Sequence, residues 1–215
     1  MLHLRILRRG AVALAAALIL AVAASSMAGD IVDDWDTVKP PAKPELKPVT
    51  LDGATTALLI LDMTKGGNCG ARPRCAATVP NVKRLLDAAR AAGAMMWYSL
   101  ASPDETADPS IAPRDGEWQR QNGPDKFLGS NLDDKLKARG IKTVIVCGTS
   151  FQGVGIGTAS AATQRGYKAV VPVDCLSSED LYLEQYSAWH LFKGGPNVVT
   201  RNTTLTRSTM VKFAN

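Results

Sequence analysis

The chain has 215 residues, of which 46% are hydrophobic and 21% charged, a composition that excludes disorder over most of its length. This length is typical of one domain plus a targeting segment. The net charge of +5 is concentrated at the start, because Arg5, Arg8 and Arg9 precede the first acidic residue, Asp30. Without residues 1–28 the chain keeps 22 basic and 20 acidic side chains, so we expect neither nucleic acid nor an anionic membrane surface as a partner.

Residues 1–28 have the pattern of a secretory signal peptide. A basic segment to Arg9 is followed by the apolar run Ala11–Ala24 and by the small residues around Ala28. The run is shorter than the roughly 18–20 residues that a membrane-spanning helix needs. We therefore predict a cleaved signal and a periplasmic or secreted protein with no membrane contact after cleavage, with an uncleaved anchor as the alternative.

Four cysteines in an exported chain indicate disulfide chemistry. Cys69 and Cys75 share the segment GGNCGARPRC, for which we predict a local disulfide in an exposed loop, with metal binding as the weaker alternative. Cys147 and Cys175 each lie near the end of a predicted strand. Whether these two form a bond or stay as buried thiols is left open by the sequence.

Residues 29–54 are rich in proline and predict an extended arm, and residues 55–215 predict one domain. Apolar and β-branched runs predict five strands, at 57–61, 95–100, 143–147, 168–172 and 197–200. Helical spacing and end signals predict helices from Pro80 to Gly93, at about 131–139, from Gly155 onward and at 179–192. The segment 101–129 predicts a long loop, and 206–213 a last turn or edge strand. The alternation predicts an α/β fold, a three-layer α/β/α arrangement with a mostly parallel, doubly wound sheet.

The segment Thr143–Thr158, TVIVCGTSFQGVGIGT, predicts a strand that turns sharply into a helix. Its turn, with Thr149, Ser150, Gly153 and Val154, offers backbone N–H groups to a negatively charged group. Another predicted strand ends in Asp62, a partly desolvated carboxylate that is suited to donate or accept a proton. If the two strands are neighbours, both ends face one crevice at the carboxyl edge of the sheet.

Lys126, in the long loop, is the second candidate catalytic residue, because a lysine beside Asp62 would hold it ionised or stabilise an oxyanion. A solvated loop lysine is the competing interpretation. Ser150 has no convincing base, since His190 is the single histidine after residue 28 and lies in mid-helix. One such histidine does not support a metal site, and the glycines of GVGIG lack dinucleotide spacing, so we expect no metal and no cofactor.

Three blocks between Thr55 and Asp180 resemble the isochorismatase-like, or cysteine hydrolase, superfamily: TALLILDM, DKFLGSNLDDKLKARGIKTVIVCGTS and TASAATQRGYKAVVPVDC. The resemblance implies a doubly wound sheet, frequent homo-oligomers, and an Asp, Lys and Cys trio that hydrolyses C–N bonds in small amides. Asp62 matches the family aspartate. The cysteine is expected six residues after Gly148, where this chain has Val154. The family lysine stands further ahead of the Phe127–Ser130 stretch than Lys126, and the Asp-x-His metal site of some members is not evident.

Two hypotheses follow. The first is an exported hydrolase that acts on a small molecule of amide, ureide or enol-ether type by acid–base chemistry of Asp62, without a cysteine nucleophile. The second is an inactive pseudoenzyme that binds a small ligand or partner in the same crevice.

Overall fold

The computed structural model describes residues 29–66, 68–100, 106–120 and 123–214. The predicted signal peptide, residues 1–28, lies outside the described residues, as do parts of the predicted long loop. The chain divides into two units, with the boundary after Pro40. Of the first unit, residues 29–40 are exposed and contain one 3₁₀ turn, Trp35–Thr37.

The second unit contains every strand and α-helix of the described residues. The strands are β1 (Val49–Leu51), β2 (Thr56–Leu61), β3 (Met95–Leu100), β4 (Trp118–Arg120), β5 (Thr143–Thr149), β6 (Lys168–Pro172), β7 (Leu176–Ser177), β8 (Thr203–Thr206) and β9 (Val211–Phe213). The helices are α1 (Asn68–Ala71), α2 (Pro73–Ala91), α3 (Leu132–Ala138), α4 (Ile156–Gln164), α5 (Leu181–Trp189) and α6 (Asn197–Thr200).

Seven of the described strands form one parallel sheet in the order β4-β3-β2-β5-β6-β8, with β7 extending the pairing of β5. The chain starts in the middle at β2, runs outward to β4 and returns to β5 on the other side of β2. The strand order therefore reverses between β2 and β5, where Leu61 pairs with Gly148. The two strands are neighbours, which is the condition under which the sequence places both strand ends at one crevice. A reversal of this kind is where doubly wound sheets bind ligands.

Helices cover both faces of the sheet, which confirms the three-layer prediction. One apolar cluster joins α2 to β2 and β5 through Leu85, Ile60 and Cys147. The other joins the opposite face to α3 and α4 through Leu136, Leu61 and Ala159. Because the central strands are buried on both faces, they read as continuous apolar runs rather than as an alternating pattern.

Two predicted elements are wrong. The segment Asn197–Thr200 forms helix α6, and the sheet edge is β8 instead. Two valines in a four-residue segment do not distinguish a strand from a helical turn. The helix predicted from Pro80 begins at Pro73, with Pro80 inside it. Pro73 occupies the first helical turn, where a missing N–H has no cost.

Helix α5 is shorter than the predicted 179–192 segment. It begins after Asp180, whose carboxylate accepts a hydrogen bond from Leu183 N, and at His190 it continues as a π-helical turn to Gly194. Within α5, Ser187 is buried and Tyr186 is exposed.

The predicted disulfide between Cys69 and Cys75 is present, with the two Cα atoms 4.7 Å apart. The loop predicted around it is wrong, because Cys69 lies in α1, Cys75 lies in the first turn of α2, and both are buried. The predicted arm ends in β1, which pairs in parallel with β9 as a separate two-stranded sheet. Segment 206–213 thus supplies an edge strand. Among the described residues, no helix is long and apolar enough to span a membrane.

Candidate active site

Asp62 follows β2 directly and leaves the strand by a left-handed backbone conformation, with φ of 55°. Aspartate tolerates this region better than most residues that carry a Cβ. Its backbone is fixed on both sides, since its N–H donates to Ser99 O at 3.0 Å and its carbonyl accepts from Asn68 Nδ2 at 3.0 Å. The carboxylate is thereby held at the carboxyl edge of the sheet, and the residue is 6% exposed.

Lys126 is the second predicted site residue, and the structure brings it to Asp62. Its Nζ lies 2.8 Å from Oδ2 and 3.1 Å from Oδ1 of the carboxylate. Its side chain is 1% exposed, so the competing interpretation of a solvated lysine is wrong. A buried carboxylate that accepts two hydrogen bonds from an ammonium group is held in its ionised form. This arrangement favours Asp62 as a proton acceptor over a proton donor.

The segment that carries Lys126 is fixed against α4. Thr158 Oγ1 donates to Pro124 O at 3.1 Å and lies 3.4 Å from Lys126 N, from which it accepts a hydrogen bond. Gly157 allows this close approach, since a Cβ there would lie 2.5 Å from Pro124 O. Lys126 O also accepts from Ser130 Oγ at 2.6 Å. The lysine is therefore positioned by tertiary contacts even though it comes from an irregular segment.

Ser99, which the sequence analysis missed, is a third polar group at the carboxylate. Its Oγ donates to Asp62 Oδ1 at 2.6 Å, and the residue is buried. Ser99 is the Cα partner of Leu61, the residue before Asp62, on the neighbouring strand. The sequence shows that Ser99 places a hydroxyl near the end of a predicted strand. Only the register of β3 against β2 shows that this hydroxyl meets the Asp62 carboxylate.

The predicted turn begins where β5 ends, beside the end of β2. It contains a cis peptide bond between Thr149 and Ser150 and one π-helical turn, Phe151–Gly155, that leads into α4. Ser150 O accepts hydrogen bonds from Gly153 N and Gly155 N, each at 3.2 Å. Thr149 is buried, and its hydroxyl donates to Ser177 O at 3.3 Å.

Val154 is buried in the middle of this turn and belongs to the same apolar cluster as Phe151 and Leu176. An aliphatic side chain supplies no nucleophile. In the candidate site, the turn thus contributes backbone groups, while Asp62 and Lys126 contribute the charged side chains.

Two thiols, Cys147 and Cys175, are free and fully buried. They lie in the cluster beneath α2, on the face opposite Val154. A hydrogen bond between them and burial both raise the pKa of the Cys175 thiol well above its ordinary value. A thiol that holds its proton so firmly is a poor nucleophile. The sequence left open whether Cys147 and Cys175 form a disulfide, and the structure shows both as free, buried thiols.

His190 lies in the π-helical turn after α5, with its ring 5.8 Å from the ring of Tyr186. Among the described residues, no group of three or more His, Cys, Asp or Glu side chains gathers at a point where a metal ion would be held.

Residues 56–203 match the isochorismatase domain, which is more than half of the chain. An uncharacterized isochorismatase family protein of Bacillus subtilis, YwoC, is 28% identical over 159 residues, which cover 60% of this chain and 82% of that protein. N-carbamoylsarcosine amidase of an Arthrobacter species is 28% identical over 155 residues, covering 56% of this chain and 58% of the amidase. The match thus spans less than two thirds of the amidase.

Among solved structures, a cysteine hydrolase from Pseudomonas syringae pv. phaseolicola superposes with a TM-score of 0.65. It is 20% identical, with 78% of this chain and 95% of that chain covered, so this likeness concerns the fold. The domain match, the parallel sheet and the order of its strands lead to one conclusion: the chain belongs to the isochorismatase family.

Proposed function

We propose that this chain hydrolyses a C–N bond in a small amide or ureide, with Asp62 as general base and water as the nucleophile. The observation that carries the proposal is the buried contact of Asp62 with Lys126 and Ser99 at the switch point of the sheet. The similarity to an N-carbamoylsarcosine amidase supports an amide or ureide as the substrate class.

In the proposed reaction, the ionised Asp62 takes a proton from water, and the resulting hydroxide attacks the substrate carbonyl carbon. Negative charge then develops on the carbonyl oxygen, and backbone N–H groups of the turn after β5 stabilise it. The tetrahedral intermediate breaks its C–N bond as Asp62 returns the proton to the leaving nitrogen. The products are a carboxylic or carbamic acid and an amine or ammonia.

Lys126 and Ser99 serve the same carboxylate in this mechanism. The Lys126 ammonium keeps Asp62 ionised, and the Ser99 hydroxyl fixes the orientation of Oδ1. Val154 replaces the nucleophile expected at its position in the family, so no acyl-enzyme forms through that residue.

Turnover of amides, ureides and enol ethers by the chain, before and after iodoacetamide treatment, tests the proposal. We expect hydrolysis of amides or ureides that alkylation does not reduce, because both free thiols are buried. Loss of activity upon alkylation would contradict a cysteine-independent mechanism.

The alternative is a pseudoenzyme that binds a small ligand without turning it over, and Val154 is the observation that favours it. Saturable binding of an amide with no product release by the wild-type chain would support this alternative over hydrolysis.

We infer further that the chain acts in the periplasm or outside the cell as a homo-oligomer. The Cys69–Cys75 disulfide supports an oxidising compartment. Leu181 and Tyr182 on α5 are 69% and 64% exposed, which supports contact with a second copy. Sedimentation of the mature chain and fractionation of its native host test these two points.

A further inference from the structure

Glu184 on α5 is held by hydrogen bonds from two distant segments of the chain. Both oxygens of its carboxylate accept from the Arg74 guanidinium on α2, with Arg74 Nε 2.9 Å from Oε1. The backbone N–H of Ser178 donates to the same Oε1 at 3.0 Å. A forked contact between an arginine and a carboxylate fixes the orientation of both groups. Glu184 therefore connects α5 to the start of α2 and to the segment after β7.

The neighbouring ion pair between Arg72 and Glu179 differs from this arrangement. It has one contact, 3.0 Å long, and the Glu179 side chain is 64% exposed, whereas that of Glu184 is 22% exposed. An exposed pair of this kind contributes little to stability. The contact with the Ser178 backbone thus distinguishes the Glu184 pair from an ordinary surface pair.

The contacts of Glu184 extend to the turn after β5. Ser178 is 1% exposed and directly follows β7, which pairs with the end of β5. Its hydroxyl donates to Gln152 Oε1 at 2.6 Å, and Gln152 belongs to the π-helical turn Phe151–Gly155. The Glu184 carboxylate thus holds Ser178 by its backbone, and Ser178 holds the turn by its side chain.

In the other direction, the contacts lead to Asp62. Arg74 is adjacent to Cys75, which the disulfide joins to Cys69. Asn68 precedes Cys69, and its Nδ2 donates to Asp62 O at 3.0 Å. The turn and the residue that carries the carboxylate are therefore connected a second time, in addition to the pairing of β2 with β5.

We propose that Glu184 is a positioning residue for the hydrolysis, which holds the N–H groups of the turn after β5 in place relative to the Asp62 carboxylate. This inference rests on the proposed function, because it assigns the turn and the carboxylate to one reaction. Such donors act when they face the oxygen on which charge develops, and a misplacement of about 1 Å costs on the order of 10²-fold in rate. Since this charge develops in the transition state, the loss of Glu184 should lower kcat rather than raise KM.

Two substitutions break the connection at different points. Glu184→Leu removes the carboxylate and keeps a residue that favours a helix, while Ser178→Ala releases the turn and leaves the Arg74–Glu184 pair intact. Glu179→Leu is the matched control, since it makes the same change at the exposed pair. For each variant, kcat and KM are measured with amides and ureides, and hydrogen exchange of the backbone N–H groups and urea denaturation are measured without substrate.

We expect Glu184→Leu and Ser178→Ala to lower kcat by roughly 10- to 100-fold with KM nearly unchanged. Both should speed hydrogen exchange at the turn after β5 but not in β2 or β5, because the turn opens locally while the sheet stays folded. Glu179→Leu should change neither kcat nor the exchange at the turn.

A kcat for Glu184→Leu equal to that of the wild-type chain would reject the role of Glu184 and leave the proposed function intact. A fall in kcat with faster exchange throughout the sheet would also overturn the inference, because the effect would then come from a loss of fold. Faster exchange confined to the turn, without turnover by the wild-type chain, would support the holding of the turn by Glu184 and reject the hydrolase.

Discussion

Two buried polar pairs lie near the neighbouring strands β2 and β5, and they differ in what they can do. Asp62 and Lys126 form an ion pair where β2 ends. Cys147, the strand partner of Ile60, forms a thiol pair with Cys175 beneath α2. Both pairs are removed from bulk water, but only the ion pair stands at the edge where ligands bind in this kind of fold.

The comparison shows that burial acts differently on a group that is charged and on one that can remain neutral. A buried charge requires a partner of opposite sign, and the contact between Lys126 and Asp62 supplies one and fixes the orientation of both side chains. A buried thiol can instead remain neutral: the hydrogen bond with Cys147 and burial both raise the pKa of Cys175, so this thiol keeps its proton. Reactive groups are therefore to be sought at the strand ends, even though the chain has two free cysteines.

The largest expected effect is that of Asp62→Asn, which removes the proposed general base and nearly preserves the shape of the side chain. We expect kcat for amide hydrolysis to fall by roughly 10²- to 10⁴-fold, the usual contribution of a positioned base. Steady-state kinetics measure this, with Asp87→Asn on the exposed side of α2 as the matched control. Activity that survives Asp62→Asn would contradict the acid–base mechanism.

Lys126→Met tests how much the Asp62–Lys126 ion pair contributes to stability, since it leaves a buried carboxylate without its ammonium partner. We expect a loss of about 3–5 kcal/mol in the free energy of unfolding, measured by urea denaturation. The double variant Asp62→Asn/Lys126→Met should recover part of that loss because no uncompensated charge remains. If the double variant is no more stable than Lys126→Met, the ion pair does not explain the stability.

The Cys69–Cys75 disulfide extends the comparison to a covalent sulfur pair. Replacing both residues by serine should lower the free energy of unfolding by about 2 kcal/mol, because the closed loop is short. Serine at Cys147 and Cys175 is the matched control for the free thiols. Chemical denaturation under oxidising and reducing conditions distinguishes the two pairs, since only the disulfide should respond to reductant.

The thiol pair should make stability sensitive to alkaline pH. The direction of the change in the free energy of unfolding follows from the raised pKa of Cys175. As pH rises, the thiol of the unfolded chain ionises first, so the native state binds one more proton than the unfolded state. The stabilisation of the native state by the protonated Cys175 is complete below the ordinary thiol pKa. As pH rises above that pKa, this stabilisation falls by up to about 1.4 kcal/mol per pH unit. Urea denaturation across this range should show a shallower decline for Cys175→Ala than for the wild-type chain.

The sequence by itself determined the α/β class, the central strands and the position of Asp62 at the end of a buried strand. These follow from local signals: β2 and β5 are apolar on both faces, and a carboxylate directly after such a run is conspicuous. The turn after β5 was also predictable, because its small residues mark a sharp change from strand to helix.

Only the tertiary structure decided which side chains meet. Lys126 reaches Asp62 across 64 positions of sequence because its segment packs on α4 at Gly157, and Ser99 meets the same carboxylate through strand register. The helix at Asn197–Thr200 and the free state of Cys147 and Cys175 were likewise beyond local patterns. Contacts between distant segments depend on the register and packing of whole elements, and a short stretch of sequence specifies neither.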